Sequence, residues 1–113
     1  MHATVKFISH SKLLKTEILY CVAEGSYSNV YFTNGERAIL SSRLGCLEIL
    51  LKERSFFRIH RKHLVNLNQV KAAEFRKEAK LVLRDDTVLP VARRRKTIVK
   101  AILHELSIPC LRN

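Results

Sequence analysis

A mainly β domain with two helices is what this sequence predicts, and three observations predict it. Apolar residues recur in short runs, several of them alternating with polar ones, which is the period of a half-buried strand. Turn-forming pairs such as Asn34-Gly35 and Asp85-Asp86 separate those runs. Only two stretches place apolar residues at helical spacing, one in the middle of the chain and one near its end.

Taken in order, residues 4–8 (TVKFI) alternate like a strand, residues 17–22 form a short apolar strand, and residues 28–33 (SNVYFT) form another. Asn34-Gly35 supplies what a type I′ turn needs, since both of its central positions take positive φ, so residues 36–40 return as the hairpin partner. Ser41-Ser42 offers an N-cap for the stretch RLGCLEILLKER, which sets Leu44, Leu47, Leu50 and Leu51 on one helical face. Gly45 weakens that helix by about 1 kcal/mol relative to alanine. Strands follow at residues 56–59, 69–75, 79–83 and 88–91, with Asp85-Asp86 as a turn between the last two. Residues 93–106 close the chain as a helix with Ile98, Ile102, Leu103 and Leu106 on its apolar face and Pro109 beyond its end.

The 113 residues, 47% of them hydrophobic, make one domain over 1–113, large enough to bury a modest core without disulfides or metal. With only three glycines and two prolines, the chain shows no long linker, low-complexity segment or repeat. No run approaches the roughly 20 apolar residues of a membrane span, and MHATVKFISH lacks the apolar core of a signal peptide, so the expected location is cytoplasmic. Cys21, Cys46 and Cys110 are odd in number and have no CxxC spacing, which argues against a disulfide framework and a zinc site. Cys21, inside ILYCVA, reads as a small core residue.

Charge points to the partner. Residues 1–55 carry seven Lys/Arg against five Asp/Glu, whereas residues 56–113 carry fourteen against five, so the second half holds +9 of the net +11. Two segments concentrate it: FFRIHRKHLVN at residues 56–66, where apolar anchors alternate with cations, and Arg93, Arg94, Arg95 and Lys96 directly after the apolar run of residues 88–92. A scaffold that holds out two sets of cations is built to meet a polyanion, and the absence of a cationic amphipathic helix or hydrophobic span favours nucleic acid over a membrane.

Each signal has a structural reading beside the functional one. A solvated first helical turn would explain Arg93 to Lys96, but cations at a helix N-terminus oppose its dipole, so an external anion explains them better. His60 and His63 lie in what reads as one extended segment with no fixed common face, and no carboxylate or cysteine adjoins them, so packing or phosphate contact is favoured over metal ligation. Asn66 reads as a turn-stabilising side chain, and Asp85-Asp86 as a solvated turn rather than an acid and base pair. No catalytic group and no cofactor is expected, so the chain is not read as an enzyme.

Residues 18–36 (ILYCVAEGSYSNVYFTNGE), the leucine-rich helix, the F-x-R-I-H-R-x-x-L-V-N segment ending at Asn66 and the L-P-V-A-R-R-R segment ending at Arg95 resemble, in that order, the LytTR family of bacterial DNA-binding domains. The resemblance spans nearly the whole chain. It implies an elongated arrangement of small antiparallel sheets, with loops entering successive major grooves on one face of the DNA. It further implies a role in transcription regulation, commonly as the output domain of a two-component response regulator, with a receiver domain or sensor kinase lying outside this chain. Carried over by position, base contacts fall on Ser28, Asn29, Arg61 and Arg93, with Tyr27 packing rather than reading. Phosphate contacts fall on Arg58, Lys62, His63, Arg94, Arg95 and Lys96.

The chemistry of those residue types agrees with the division. Arginine's planar fork pairs with the O6 and N7 acceptors of guanine, whereas lysine and clustered arginines suit phosphates, which give affinity without sequence information. Two other classes compete: a single-stranded DNA or RNA module, which would want exposed aromatics for stacking, and a nuclease-like enzyme, which would want clustered carboxylates for metal. Aromatic residues are 7% of the chain and sit mostly within apolar strands, and the acids are scattered. Double-stranded DNA is therefore the expected partner, bound by a domain that is monomeric when free and pairs on direct repeats.

Overall fold

A computed structural model describes residues 5–7, Leu13 and residues 16–111. Nine strands, two α-helices and three short 3₁₀ segments have their bounds among the described residues. β1 (Val5–Phe7), β2 (Ile18–Glu24), β3 (Tyr27–Phe32) and β4 (Arg37–Leu40) precede α1 (Leu44–Leu50); β5 (Phe56–His60), β6 (His63–Asn66), β7 (Val70–Glu74), β8 (Lys80–Leu83) and β9 (Val88–Pro90) follow, and α2 (Lys96–Glu105) ends the series. The strands form a six-stranded sheet, ordered β1-β4-β3-β2-β6-β5, and a three-stranded sheet, ordered β7-β8-β9. Pairing is antiparallel throughout except at the edge, where β1 runs parallel to β4. The molecule measures 40 × 30 × 24 Å, so its elongation is moderate.

Period-2 alternation decides which face of the large sheet each residue serves. Cys21 pairs with both Val30 and Leu64, and these three turn toward α1, where Leu44, Leu47 and Leu51 complete a core that also holds Leu13, Phe32, Ala38 and Leu40. Burial pushes the Cys21 thiol up to about 12, which makes it an inert core residue. A second core joins Ile59 and Val65 of the large sheet to Leu81, Leu83 and Leu89 of the small one and to Val99 and Leu103 of α2. The linkage between sheets is short. Asn66, 4% exposed, caps the 3₁₀ turn Leu67–Gln69 by accepting from the Asn68 amide and donates 2.7 Å to the Ile18 carbonyl, so its turn-stabilising role is confirmed.

Four local expectations are corrected. The β3–β4 turn is not type I′: Gly35 alone has positive φ (92°), the Gly35 amide donates to the Phe32 carbonyl, and Asn34 instead bonds the Glu36 amide through its side chain. This is a type I turn closed by a glycine bulge, the usual three-residue hairpin loop. Neither Ser41 nor Ser42 caps α1; the N-cap is Arg43, without a side-chain bond. The 93–106 helix divides into a 3₁₀ turn, Arg93–Arg95, and α2 proper, which ends before Ser107 (φ 57°) well short of Pro109. Its buried face is Val99 and Leu103 with Ile102 partly covered, while Ile98 and Leu106 are about half exposed, so the stripe is narrower than the spacing of apolar residues suggests.

Candidate nucleic-acid interface

Two hydrogen bonds between turns assemble the surface. β2 and β6 are antiparallel neighbours with Val22 opposite His63, which puts the β2–β3 turn and the β5–β6 turn at the same end of the large sheet. There the Ala23 amide donates 2.9 Å to the Lys62 carbonyl, tying the first turn to the second. The Ala92 amide donates 2.8 Å to the Ile59 carbonyl, tying the Arg93–Arg95 segment to the same hairpin. Segments some thirty residues apart in sequence thus become one ridge.

The middle turn is braced by its own strand. Arg61 and Lys62, both exposed, form the tip between His60 and His63, and neither has positive φ. Such an unprimed two-residue turn matches strand twist poorly, and a bulge between Arg58 and His60 accommodates it. Arg58 faces α1 because it pairs with Leu64, on the Cys21 side of the sheet. From there its guanidinium donates to the carbonyls of His60 and Arg61 and lies 3.3 Å from the Glu48 carboxylate of α1. With its side chain 20% exposed, Arg58 braces the turn from within.

The two histidines are also not cations. Their rings meet edge to face at 5.3 Å across the hairpin, so they do share a face, contrary to the reading of one extended segment. His60 Nδ1 accepts from the Lys62 amide at 3.2 Å, which requires that nitrogen to be unprotonated. Burial first, then the charges of Arg61, Lys62 and Arg58, hold the His60 pKa below its usual value. His63 is pushed down to about 4, chiefly by burial and then by His60 and Lys62, and its Nδ1 is buried without a partner. At neutral pH His63 is therefore uncharged, and a contact with phosphate would be an N–H hydrogen bond rather than an ion pair. Among the described residues no three His, Cys, Asp or Glu side chains are grouped to hold a metal ion.

The first turn carries a further correction. Ser28 is fully buried and its hydroxyl donates 2.7 Å to the Ser42 carbonyl, so it cannot reach a base; it ties β3 to the start of α1. Tyr27 is 45% exposed at the end of the turn that Gly25 (φ 61°) makes possible. Asn29 is half-buried and its amide donates 2.6 Å to the Glu24 carboxylate, which leaves its second N–H and its carbonyl oxygen for a base. In the third segment Arg93 and Arg94 are exposed, and Arg95 and Lys96 are half-buried.

The sequence model of the LytTr DNA-binding domain family matches residues 10–104, most of the chain. This chain belongs to that family. No curated protein matches it in sequence. Among solved structures it is similar to the LytTr DNA-binding domain of a methyl-accepting/DNA response regulator from Bacillus cereus, with a TM-score of 0.68 and 24% identity over 77% of this chain and 81% of that one. That likeness carries the fold.

Within this LytTr domain the structure therefore ties the turn of Arg61 and Lys62 to the Arg93–Lys96 segment, carries Asn29 and Tyr27 on the hairpin at the same end of the sheet, and holds Ser28, Arg58 and His63 in supporting positions. No helix of the described residues is long and apolar enough to cross a membrane. Asp85 and Asp86 lie in a solvated turn, with Asp85 bonded to the Thr87 amide and Asp86 (φ 73°) paired with Lys71.

Proposed function

We propose that the ridge of three turns binds double-stranded DNA with sequence preference, Arg61 and Arg93 reading base edges in the major groove while Lys62, Arg94, Arg95 and Lys96 hold phosphates. One observation carries this: the amides of Ala23 and Ala92 tie both flanking segments to the β5–β6 hairpin, so the exposed cations move as a unit. Base readout rewards such rigidity, because a bidentate arginine contact worth about 1–3 kcal/mol depends on a fixed donor fork. Tyr27 is the contact of the first turn, its ring resting on the sugar-phosphate edge beside Arg61. Asn29 joins it through the N–H and carbonyl oxygen that its bond to Glu24 leaves over.

The ridge is a DNA element of a bacterial regulator and does no chemistry of its own. Its signal comes from a receiver domain or a kinase system outside these residues. The domain is a monomer when free and pairs on direct repeats read from one face, about whole turns of roughly 34 Å apart. Footprinting on duplex DNA in magnesium tests the reading: protection without cleavage supports it, and cleavage or preference for single strands overturns it.

A further inference from the structure

At the far end of α2 from the arginine cluster, the chain builds a second cationic feature that the DNA ridge does not use. After α2 the chain reverses at Ser107 and runs back along the edge of β7, where the Ala73 amide donates 3.0 Å to the Pro109 carbonyl and the Leu111 amide donates to the Ala73 carbonyl. This strap closes one side of a groove of about 470 Å³. Phe75, Ile108 and Leu111 give it apolar surface, and Arg76, Lys100 and His104 give it nitrogen donors.

Among the described residues no carboxylate lines the groove. Arg76 is partly neutralised by Glu74 at 2.6 Å, but among the described residues no acid lies within ion-pair distance of Lys100, whose ammonium sits 5.8 Å from the centre of the Phe75 ring. A cation poised over an apolar floor suits a ligand with an acidic head and a hydrocarbon body. Size narrows the class further. The volume lies within the roughly 300–1,000 Å³ of small-molecule sites and is too small for a docked helix. A phosphodiester backbone would gain nothing from the apolar surface, and His104 lies about 12 Å along the helix from Lys96.

We infer that this groove binds a small amphipathic organic anion, its acidic head at Lys100 and its apolar body against Phe75, Ile108 and Leu111. The exposed thiol of Cys110 lies in the groove and reports on it, while Cys46 lines a different groove of about 480 Å³ with Arg43, Arg58 and Ile49 and so controls for uptake by any cationic, apolar cleft.

The test compares decanoate, decanol and decyltrimethylammonium, each below its micelle concentration, as protectants against iodoacetamide, with alkylation at each cysteine followed by peptide mass spectrometry. Decanoate should slow Cys110 by about fivefold or more and leave Cys46 unchanged, and Lys100→Glu should weaken that protection about tenfold. Lys100 is exposed, so the variant should retain the wild-type circular dichroism spectrum. Equal protection by all three probes, none by decanoate, or equal slowing at Cys46 overturns the inference. So does protection of Cys110 by duplex DNA alone, which would make the groove part of the DNA surface.

Discussion

Arg58 holds the Glu48 carboxylate at 3.3 Å with one nitrogen and donates to the carbonyls of His60 and Arg61 with the others, so one side chain fixes α1 to the hairpin turn that displays Arg61 and Lys62. The ion pair alone is worth little, because Glu48 is 45% exposed and such pairs contribute about 0–1 kcal/mol. Its consequence is geometric. Arg58→Ala should cost about 1–2 kcal/mol of stability through the lost charged hydrogen bonds and a further loss of discrimination between cognate and random DNA. Glu48→Gln should leave both nearly unchanged. Urea denaturation and paired DNA titrations check this; an Arg58→Ala protein with undiminished discrimination would show that the turn holds its shape without the brace.

Tyr27 separates stability from binding in the opposite way. Its 45% exposure means that Tyr27→Ala should cost less than about 1 kcal/mol in stability, yet lower affinity for cognate duplex by about tenfold. Ser28→Ala should do the reverse, since it leaves the Ser42 carbonyl without its 2.7 Å donor. Thermal melts and titrations of both variants decide between the neighbours.

His63 gives the fold a pH dependence. Its pKa is about 4 in the folded state against about 6.5 unfolded, so the unfolded chain binds the extra proton between those values. Stability should therefore be complete above pH 6.5 and decline as pH falls toward 4, with His60 adding in the same direction. Between pH 6.5 and 5.5 ordinary carboxylates change little. In that window the slope of stability against pH should be shallower in His63→Leu than in wild type, and an identical slope would remove His63 as its cause.

Affinity should fall steeply with salt. If Lys62, Arg94, Arg95 and Lys96 each neutralise a phosphate, log K should decline against log salt with a slope of about −3 to −4. A flat response to potassium chloride in the same titration would leave the cations without a role in binding.

Much of this was legible in the chain. The leucine spacing of α1, the alternation of the strands and the basic segments all survive in the structure because local periodicity and core burial agree there. Strand parity also marks Ser28 as buried: Ser28, Val30 and Phe32 share the inward face of β3, which leaves Tyr27, Asn29 and Tyr31 on the other. The β5–β6 hairpin was illegible for a physical reason. Arg61-Lys62 carries none of the glycine or asparagine chemistry that marks a tight turn, because the turn is held instead by the Arg58 guanidinium and by amides from residues far away in sequence. The burial of Arg58 and His63 depends on those distant contacts as well, so cations in a basic run looked alike until the fold sorted them.

The division between base readout and phosphate contact is the centre of the account, and one comparison tests it most directly: affinities of Arg61→Ala, Arg93→Ala and Lys96→Ala for cognate and random duplex. The two arginine variants should lose about 1–3 kcal/mol on the cognate site alone, while Lys96→Ala should weaken both duplexes alike and shallow the salt slope by about one unit. Equal losses on both duplexes for Arg61→Ala and Arg93→Ala would contradict it and make the whole ridge a phosphate clamp.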